Sequence, residues 1–213
     1  MSLLQEMKLL NNLVIQQSQF VENHLDQATQ TFLHFNEEKI QEVILADETI
    51  NALEVEIEEL CLSILAKYQP VAKDLRFIVS VLKINNDLER VGDLSVKIVK
   101  RLRHFSKEDY NTFLLPEMVE KVKVSLSSCI QAFCDVDKKL ALQVCSMDEE
   151  IDELKSKMKL KMIKKSKEEP SQADKYINLL INARHLERIA DLATNIAEDV
   201  VYYCEGTIIR HQI

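Results

Sequence analysis

The sequence predicts an all-α protein built from long helices. Only two glycines and three prolines occur in 213 residues, so few positions favour turns or end a helix. Charged residues make up 29% of the chain and hydrophobic residues 46%, and the hydrophobic positions recur at three- and four-residue intervals. One succession of three helices occurs twice, which predicts two tandem three-helix bundles related by internal duplication.

Three helices are predicted in the first half. The first covers residues 3–35, where apolar side chains follow a helical period. Asn36 is a suitable N-cap, and the two glutamates after it suit the positive end of the helix dipole, so a second helix is predicted over 37–68. Pro70 is tolerated in a first helical turn and begins a third helix over 70–103.

The second half repeats this order. Pro116 opens a fourth helix, Asp137 caps a fifth that ends near residue 168, and Pro170 opens a sixth that ends before Gly206. Between the halves, polar and aromatic residues are mixed and follow no clear helical period. The predicted units are a first repeat at 1–104, a linker at 105–115, a second repeat at 116–206 and a tail at 207–213.

Two matched segments indicate the duplication. The segment ERVGDL at 89–94 matches ERIADL at 187–192, which lies 98 positions later. The segment DETINAL at 47–53 aligns with DEEIDEL at 148–154, which lies 101 positions later. The three-residue difference fits a shorter connection between the fifth and sixth helices than between the second and third.

The sixth helix carries a stripe of oxygen ligands. At ~100° per residue, the stripe spans about 80° of the helical wheel; its members are Glu187, Glu198, Asp191 and Asn195. Acids at i and i+4 destabilise a helix by roughly 0.2–0.5 kcal/mol per pair, and a bound cation would offset that repulsion. The alternative is a solvated acidic stripe, with Arg184 and Arg188 nearby.

Each half contains two pairs of oxygen ligands at i, i+4 spacing. The pairs are Asp47 with Asn51, Glu89 with Asp93, Asp148 with Asp152, and Glu187 with Asp191. If the paired helices pack antiparallel, the two pairs of each half converge. Carboxylate and amide oxygens suit hard cations such as Mg²⁺, Mn²⁺ or iron, so the sequence predicts a metal site in each half.

The two halves differ in nearby lysines. Lys97 and Lys100 stand at the positions equivalent to Asn195 and Glu198, so the third helix carries its own neutralising charges. The fifth helix has Lys155 and Lys159 where the second has Glu54 and Glu58. These differences favour the sixth helix as the better metal surface and put the first-half site in doubt.

Several functional classes are disfavoured. A ferritin-like di-iron site requires Glu-x-x-His pairs, and no histidine here has a glutamate three residues before it. His185, at about 160° on the wheel, is expected to point away from the acidic stripe. There is no Gly-rich phosphate loop and no nucleophile with an adjacent base. The net charge of −8 argues against a nucleic-acid binder.

The chain is expected to be cytoplasmic. No apolar run approaches the ~20 residues that cross a bilayer, and the first residues lack the pattern of a signal peptide. Five cysteines form no CxxC pair, so we expect them to be reduced and mostly buried.

Three segments together resemble the PhoU family of bacterial phosphate-transport accessory regulators. They are LAKYQPVAKDLRFIVSVLKINNDLERVGD, the duplicated ExxxD helices and the closing HLERIADLATNIAEDVVYYCEG. The resemblance covers nearly the whole chain and implies paired three-helix bundles, usually dimeric and without catalytic activity. It also implies iron or zinc clusters bound through the ExxxD motifs in some members.

The resemblance implies partners as well. Family members act as negative regulators that link the ATPase of the phosphate ABC transporter to a sensor histidine kinase at the cytoplasmic face of the membrane. Two alternatives stay open on the sequence. The chain could be the cytoplasmic module of a sodium–phosphate cotransporter, or a metal-dependent oxidase or phosphohydrolase that uses the stripe on the sixth helix.

Overall fold

A computed structural model describes residues 1–32, 36–102, 108–109 and 113–209. Within these ranges the protein has six long helices and no strand. The helices are α1 at Leu3–Gln30, α2 at Glu37–Tyr68, α3 at Ala72–Lys100, α4 at Leu115–Asp135, α5 at Lys138–Glu168 and α6 at Ala173–Glu205. The predicted all-α class and the six-helix, two-bundle architecture are confirmed.

The predicted helix caps are present. The Asn36 side-chain oxygen accepts a hydrogen bond from the Glu38 N–H at 2.8 Å, and Asp137 accepts one from the Leu140 N–H at 3.1 Å. At the end of α6, Gly206 adopts φ 74, a left-handed conformation that suits glycine. Side-chain caps and a C-terminal glycine therefore define these boundaries, as the sequence indicated.

Three predicted helix ends are wrong by a few residues. α1 ends at Gln30 rather than near residue 35, and residues 33–35 lie outside the described ranges. α3 starts at Ala72 rather than Pro70, because Gln69 ends α2 in a left-handed conformation and the chain then reverses. α3 ends at Lys100, before the predicted residue 103.

The start of α6 also differs from the prediction. Pro170–Gln172 form a 3₁₀ turn, and α6 begins only at Ala173. Glu169, held by the following proline at φ −129 and ψ 71, cannot join a regular helix. Most of the predicted linker lies outside the described residues, and α4 begins at Leu115, just before the predicted Pro116. The described part of the tail, residues 207–209, is not helical.

The central helices α3 and α6 pack antiparallel. Near one end of their contact, the Ser80 hydroxyl donates to the Asp199 carbonyl at 3.1 Å. Near the other, Arg101 donates to the Asn178 side-chain oxygen at 3.3 Å. Ser80 and Asn178 are 98 positions apart, as are Arg101 and Asp199, so the two contacts are equivalent under the duplication. A local two-fold axis therefore relates the halves.

The remaining helices flank this central pair. α2 packs on α3, α5 packs on α6, and α1 and α4 meet across the two-fold axis, where Lys123 of α4 forms an ion pair with Asp26 of α1. A single continuous core runs through both bundles. α3 and α6 each contact helices on several sides, so most of their polar side chains face another helix rather than bulk water.

One buried contact distinguishes the two halves. The Gln17 amide, fully buried, donates to the Asn85 side-chain oxygen at 2.8 Å. The Asn85 amide in turn donates to the Glu54 backbone carbonyl at 2.9 Å. At the equivalent positions the second half has Met118 and Ala183, which are also fully buried. The same bundle thus accommodates either a hydrogen-bonded polar pair or an apolar pair.

We expect Asn85→Ala to lower the free energy of unfolding by about 1–3 kcal/mol, because it removes both side-chain hydrogen bonds of Asn85 and leaves the buried Gln17 amide only its 3.5 Å contact with the backbone carbonyl of residue 85. The double variant Gln17→Met/Asn85→Ala copies the second half and should recover part of that loss. Urea unfolding followed by helical circular dichroism measures both, with Gln17→Met as the second single variant. A double variant as unstable as the sum of the two single variants would contradict this account.

Candidate functional site

The antiparallel packing brings the predicted acidic motifs of each half together. In the first half, Gly92 of α3 lies against Asp47 of α2, so closely that a Cβ at Gly92 would lie 2.9 Å from an Asp47 carboxylate oxygen. In the second half, Lys155 of α5 contacts Glu187 of α6. We name two groups of acids, the first cluster of Asp47, Glu54, Glu89 and Asp93 and the second cluster of Asp148, Asp152, Glu187 and Asp191.

The members of the first cluster act on one another electrostatically. Desolvation raises the pKa of Glu89, and the charges of Asp93, Glu54 and Asp47 raise it further. Desolvation also raises the pKa of Asp47, where nearby His24 opposes the shift. One Asp47 carboxylate oxygen is shielded from water and has no hydrogen-bond partner. The first cluster is therefore short of positive charge or donors.

The second cluster shows the same mutual repulsion more strongly. Desolvation, together with the charges of Asp148, Glu187 and Asp152, raises the pKa of Asp191 to about 6. The pKa of Asp148 is raised by desolvation and by Asp152 and Glu187. All four carboxylates of the second cluster therefore lie within electrostatic range of one another.

A lysine enters each cluster, but from a different helix. In the first cluster, Lys97 of α3 bonds Asp93 at 2.9 Å. In the second, Lys155 of α5 contacts Glu187 and lies 3.3 Å from Asp152. In each cluster one lysine contacts an acid, and the charge of Lys100 also lowers the pKa of Asp47 in the first cluster. The sixth helix as the better metal surface stays a prediction, with Lys155 in contact with Glu187 there.

The acidic stripe of α6 divides between two neighbours. Glu187 and Asp191 face α5 in the second cluster. Asn195 and Glu198 instead line a groove of about 740 Å³ with α3 residues that include Lys83 and Arg90. In the first half, the remaining predicted ligand Asn51 is exposed on α2. The structure therefore brings together the two ExxxD-type motifs of each half, whereas Asn195 and Glu198 line the groove with α3, and the charge of Glu198 also acts on Cys145 of α5.

Helical spacing did not identify His24 as a neighbour of the first cluster. This buried histidine of α1 has Nε2 2.7 Å from the Val43 carbonyl oxygen, and its Nδ1 has no partner. Its charge lowers the pKa of Asp47, so the two side chains are close. The motifs lie on α2 and α3, and helical spacing within those helices cannot show which residue of α1 approaches them.

The donor chemistry of both clusters suits hard cations, and the unpaired Asp47 oxygen is available as a ligand. As positioned, however, no three His, Cys, Asp or Glu side chains of the described residues are grouped to hold a metal ion. The lysine ammonium groups occupy part of the space between the carboxylates. Metal binding at either cluster would require the lysine to turn away, and it stays a prediction.

The described residues include no helix with the length and apolar content needed to cross a bilayer. All five cysteines are free thiols. Burial, with the charge of Glu58, raises the pKa of Cys61 to about 12, and burial with the charge of Glu198 raises that of Cys145 to about 11. These two thiols are protonated at neutral pH and are poor nucleophiles.

Comparisons with known proteins match nearly the whole chain. The PhoU domain pattern matches residues 14–102 and 115–200. The phosphate-specific transport system accessory protein PhoU homolog of Aquifex aeolicus is 36% identical over 214 residues, which cover 100% of this chain and 97% of that protein. The PhoU homolog 1 of Thermotoga maritima is 32% identical over 204 residues, covering 94% and 88%.

Solved structures agree with this assignment. The crystal structure of PhoU from Pseudomonas aeruginosa has a TM-score of 0.91 and 30% identity, with 97% of this chain and 100% of that chain covered. The phosphate transport system regulatory protein PhoU from Streptococcus pneumoniae has a TM-score of 0.89 and 26% identity over 97% and 99%. With the duplicated bundles and the paired ExxxD motifs, these matches establish that the chain belongs to the PhoU domain family.

Proposed function

We propose that the protein is a non-enzymatic accessory regulator of phosphate uptake. The observation that supports this most is the end-to-end similarity to proteins named phosphate-specific transport system accessory protein PhoU, in both sequence and fold. In this role it is a negative regulator of the phosphate-starvation response. It works in the cytoplasm and reaches the membrane only through its partners.

The proposed partners are the ATPase of the phosphate ABC transporter and the phosphate sensor histidine kinase. A rigid bundle of long helices suits such an adaptor, because it offers long surfaces whose relative position is fixed by a common core. We further propose that the protein acts as a homodimer. The polar chemistry at its surface then serves recognition and ion binding rather than catalysis.

We also propose that the acidic clusters bind divalent or trivalent metal ions, with iron, zinc, manganese and magnesium as candidates. The first cluster offers Asp47, Glu89 and Asp93, and the second offers Asp148, Asp152, Glu187 and Asp191. Mutual repulsion within each cluster supports this proposal, since a cation would relieve it. A bound ion would lock α2 to α3, or α5 to α6, at the surface that faces a partner.

Deletion of the gene should derepress phosphate-scavenging genes in phosphate-rich medium, to the level that phosphate-starved wild-type cells show. The physical reason is loss of the contact that restrains the kinase when the transporter is supplied with phosphate. An alkaline phosphatase reporter measures the response, and the wild-type gene in trans should restore repression. Unchanged reporter activity in the deletion strain would refute the regulatory proposal.

The metal proposal is tested on untagged protein purified without chelators. Elemental analysis should find stoichiometric metal in the wild type and less in Glu187→Ala/Asp191→Ala. Lys155→Gln should tighten Mn²⁺ binding roughly two- to fivefold, since a partly exposed ion pair contributes ~0.5–1 kcal/mol that the metal must overcome.

The matched control for that experiment is Lys157→Gln, which removes a lysine of the same helix that pairs with exposed Glu153 at 3.1 Å. It should leave Mn²⁺ affinity unchanged. Metal absent from both the wild type and the Glu187→Ala/Asp191→Ala variant would identify the second cluster as a lysine-neutralised surface.

A further inference from the structure

A basic patch surrounds His185 where the C-terminal half of α3 meets the N-terminal half of α6. Besides His185, its members are Lys97 and Arg101 on the α3 side and Arg184 and Arg188 of α6; Arg101 reaches α6 at Asn178, 3.3 Å away, and Lys97, Arg184, His185 and Arg188 stand 98 positions from residues that line the groove between α3 and α6. Lys97, Arg184 and Arg188 are exposed and Arg101 is half-buried. On a chain of net charge −8, this concentration of cations needs a physical reason.

The duplication supplies an internal comparison. Under the duplication, each member of the basic patch has an equivalent residue 98 positions away in the sequence. These equivalents are Asn195, Asp199, Asn86, Asp87 and Arg90. In this equivalent groove the cations are paired, with Lys83 2.9 Å from Asp199 and Arg90 3.6 Å from Asp87. The basic patch has Arg101 and His185 where the groove has its two aspartates. One backbone arrangement therefore carries paired cations on one side and, on the other, arginines that form no ion pair among the described residues.

The arginines of the basic patch have no carboxylate partner. Among the described residues, no acid lies within ion-pair distance of Arg184 or Arg188, and Arg101 bonds only the neutral amide of Asn178. Lys97 pairs with Asp93, which belongs to the first cluster. Like charges at i and i+4, as in Arg184 and Arg188, cost a helix roughly 0.2–0.5 kcal/mol. A bound anion would turn this repulsion into attraction.

His185 adds a second, independent indication. Both ring nitrogens are shielded from water and neither has a hydrogen-bond partner. A neutral imidazole has one N–H to donate and one lone pair to accept. A shielded polar group without a partner costs about 1–3 kcal/mol. An anion held between the arginine side chains could accept the imidazole N–H.

We propose that the basic patch is a binding site for a small multivalent oxyanion, with phosphoryl groups as the best match. The planar guanidinium groups of Arg184 and Arg188 each offer paired N–H donors, which fit two oxygens of one phosphoryl group. Arg101 and Lys97 supply further charge from the facing helix. Its test is independent of the metal proposal and of the regulatory role, because anion binding can be measured on the purified protein alone.

The test is a titration with inorganic phosphate, pyrophosphate and ATP at physiological ionic strength, followed by calorimetry and by the imidazole resonances of His185. We expect saturable binding of at least one of these anions that weakens roughly tenfold or more in Arg184→Gln/Arg188→Gln, since charged hydrogen bonds contribute ~1.5–3 kcal/mol each. Binding should shift the imidazole resonances of His185, because the anion would supply a partner to a ring whose nitrogens have none. The three anions distinguish free phosphate from a larger phosphoryl ligand.

The matched control is Arg90→Gln, which removes the equivalent arginine on the opposite side, where Asp87 neutralises it. It should retain wild-type anion affinity, and thermal unfolding verifies that all variants fold. The proposal is overturned by no saturable binding of any of the three anions, by an equal loss in Arg90→Gln, or by His185 resonances that do not move. Loss of reporter repression in cells is not a readout here, so the outcome does not depend on the regulatory proposal.

Discussion

The antiparallel contact between α3 and α6 is the constraint on which the rest of this structure depends. It creates the local two-fold axis. Each central helix packs against the two other helices of its own bundle and against the central helix of the opposite half. Polar residues on these helices must therefore match a specific neighbour. The acids that face α2 and α5 form the clusters, and the residues that face across the axis form the groove and the basic patch.

The sequence was sufficient for the parts of the fold that local spacing determines. Apolar periodicity, caps such as Asn36 and Asp137, and the 98- and 101-residue offsets predicted six helices in two bundles. Helix ends were less predictable. Gln69 ends α2 in the left-handed conformation, but it is not a glycine, so the sequence does not mark this helix end. The convergence of the ExxxD motifs followed from antiparallel packing, which short connections between long helices favour.

The composition of the candidate site was harder to predict, for a physical reason. An 80° stripe on a helical wheel was expected to serve one site, yet α6 contacts both α5 and α3. Asn195 and Glu198 line a groove with α3, although the charge of Glu198 also acts on Cys145 of α5. Lys155 reaches Glu187 only because of the axial register between α5 and α6, which periodicity within one helix does not contain. His24 approaches Asp47 from a third helix.

The two halves keep one backbone plan with different polar chemistry. In each cluster one lysine contacts an acid, Lys97 of the central helix in one half and Lys155 of the outer helix in the other, and the charge of Lys100 also lowers the pKa of Asp47. Lys97 also belongs to the basic patch, so it stands between the first cluster and the proposed oxyanion site. Because Lys97 lies 2.9 Å from Asp93, an anion drawn to the patch would compete with Asp93 for its ammonium group. Withdrawal of that ammonium leaves the first cluster more negative and therefore a stronger ligand for a cation, which couples the two proposed sites through one side chain.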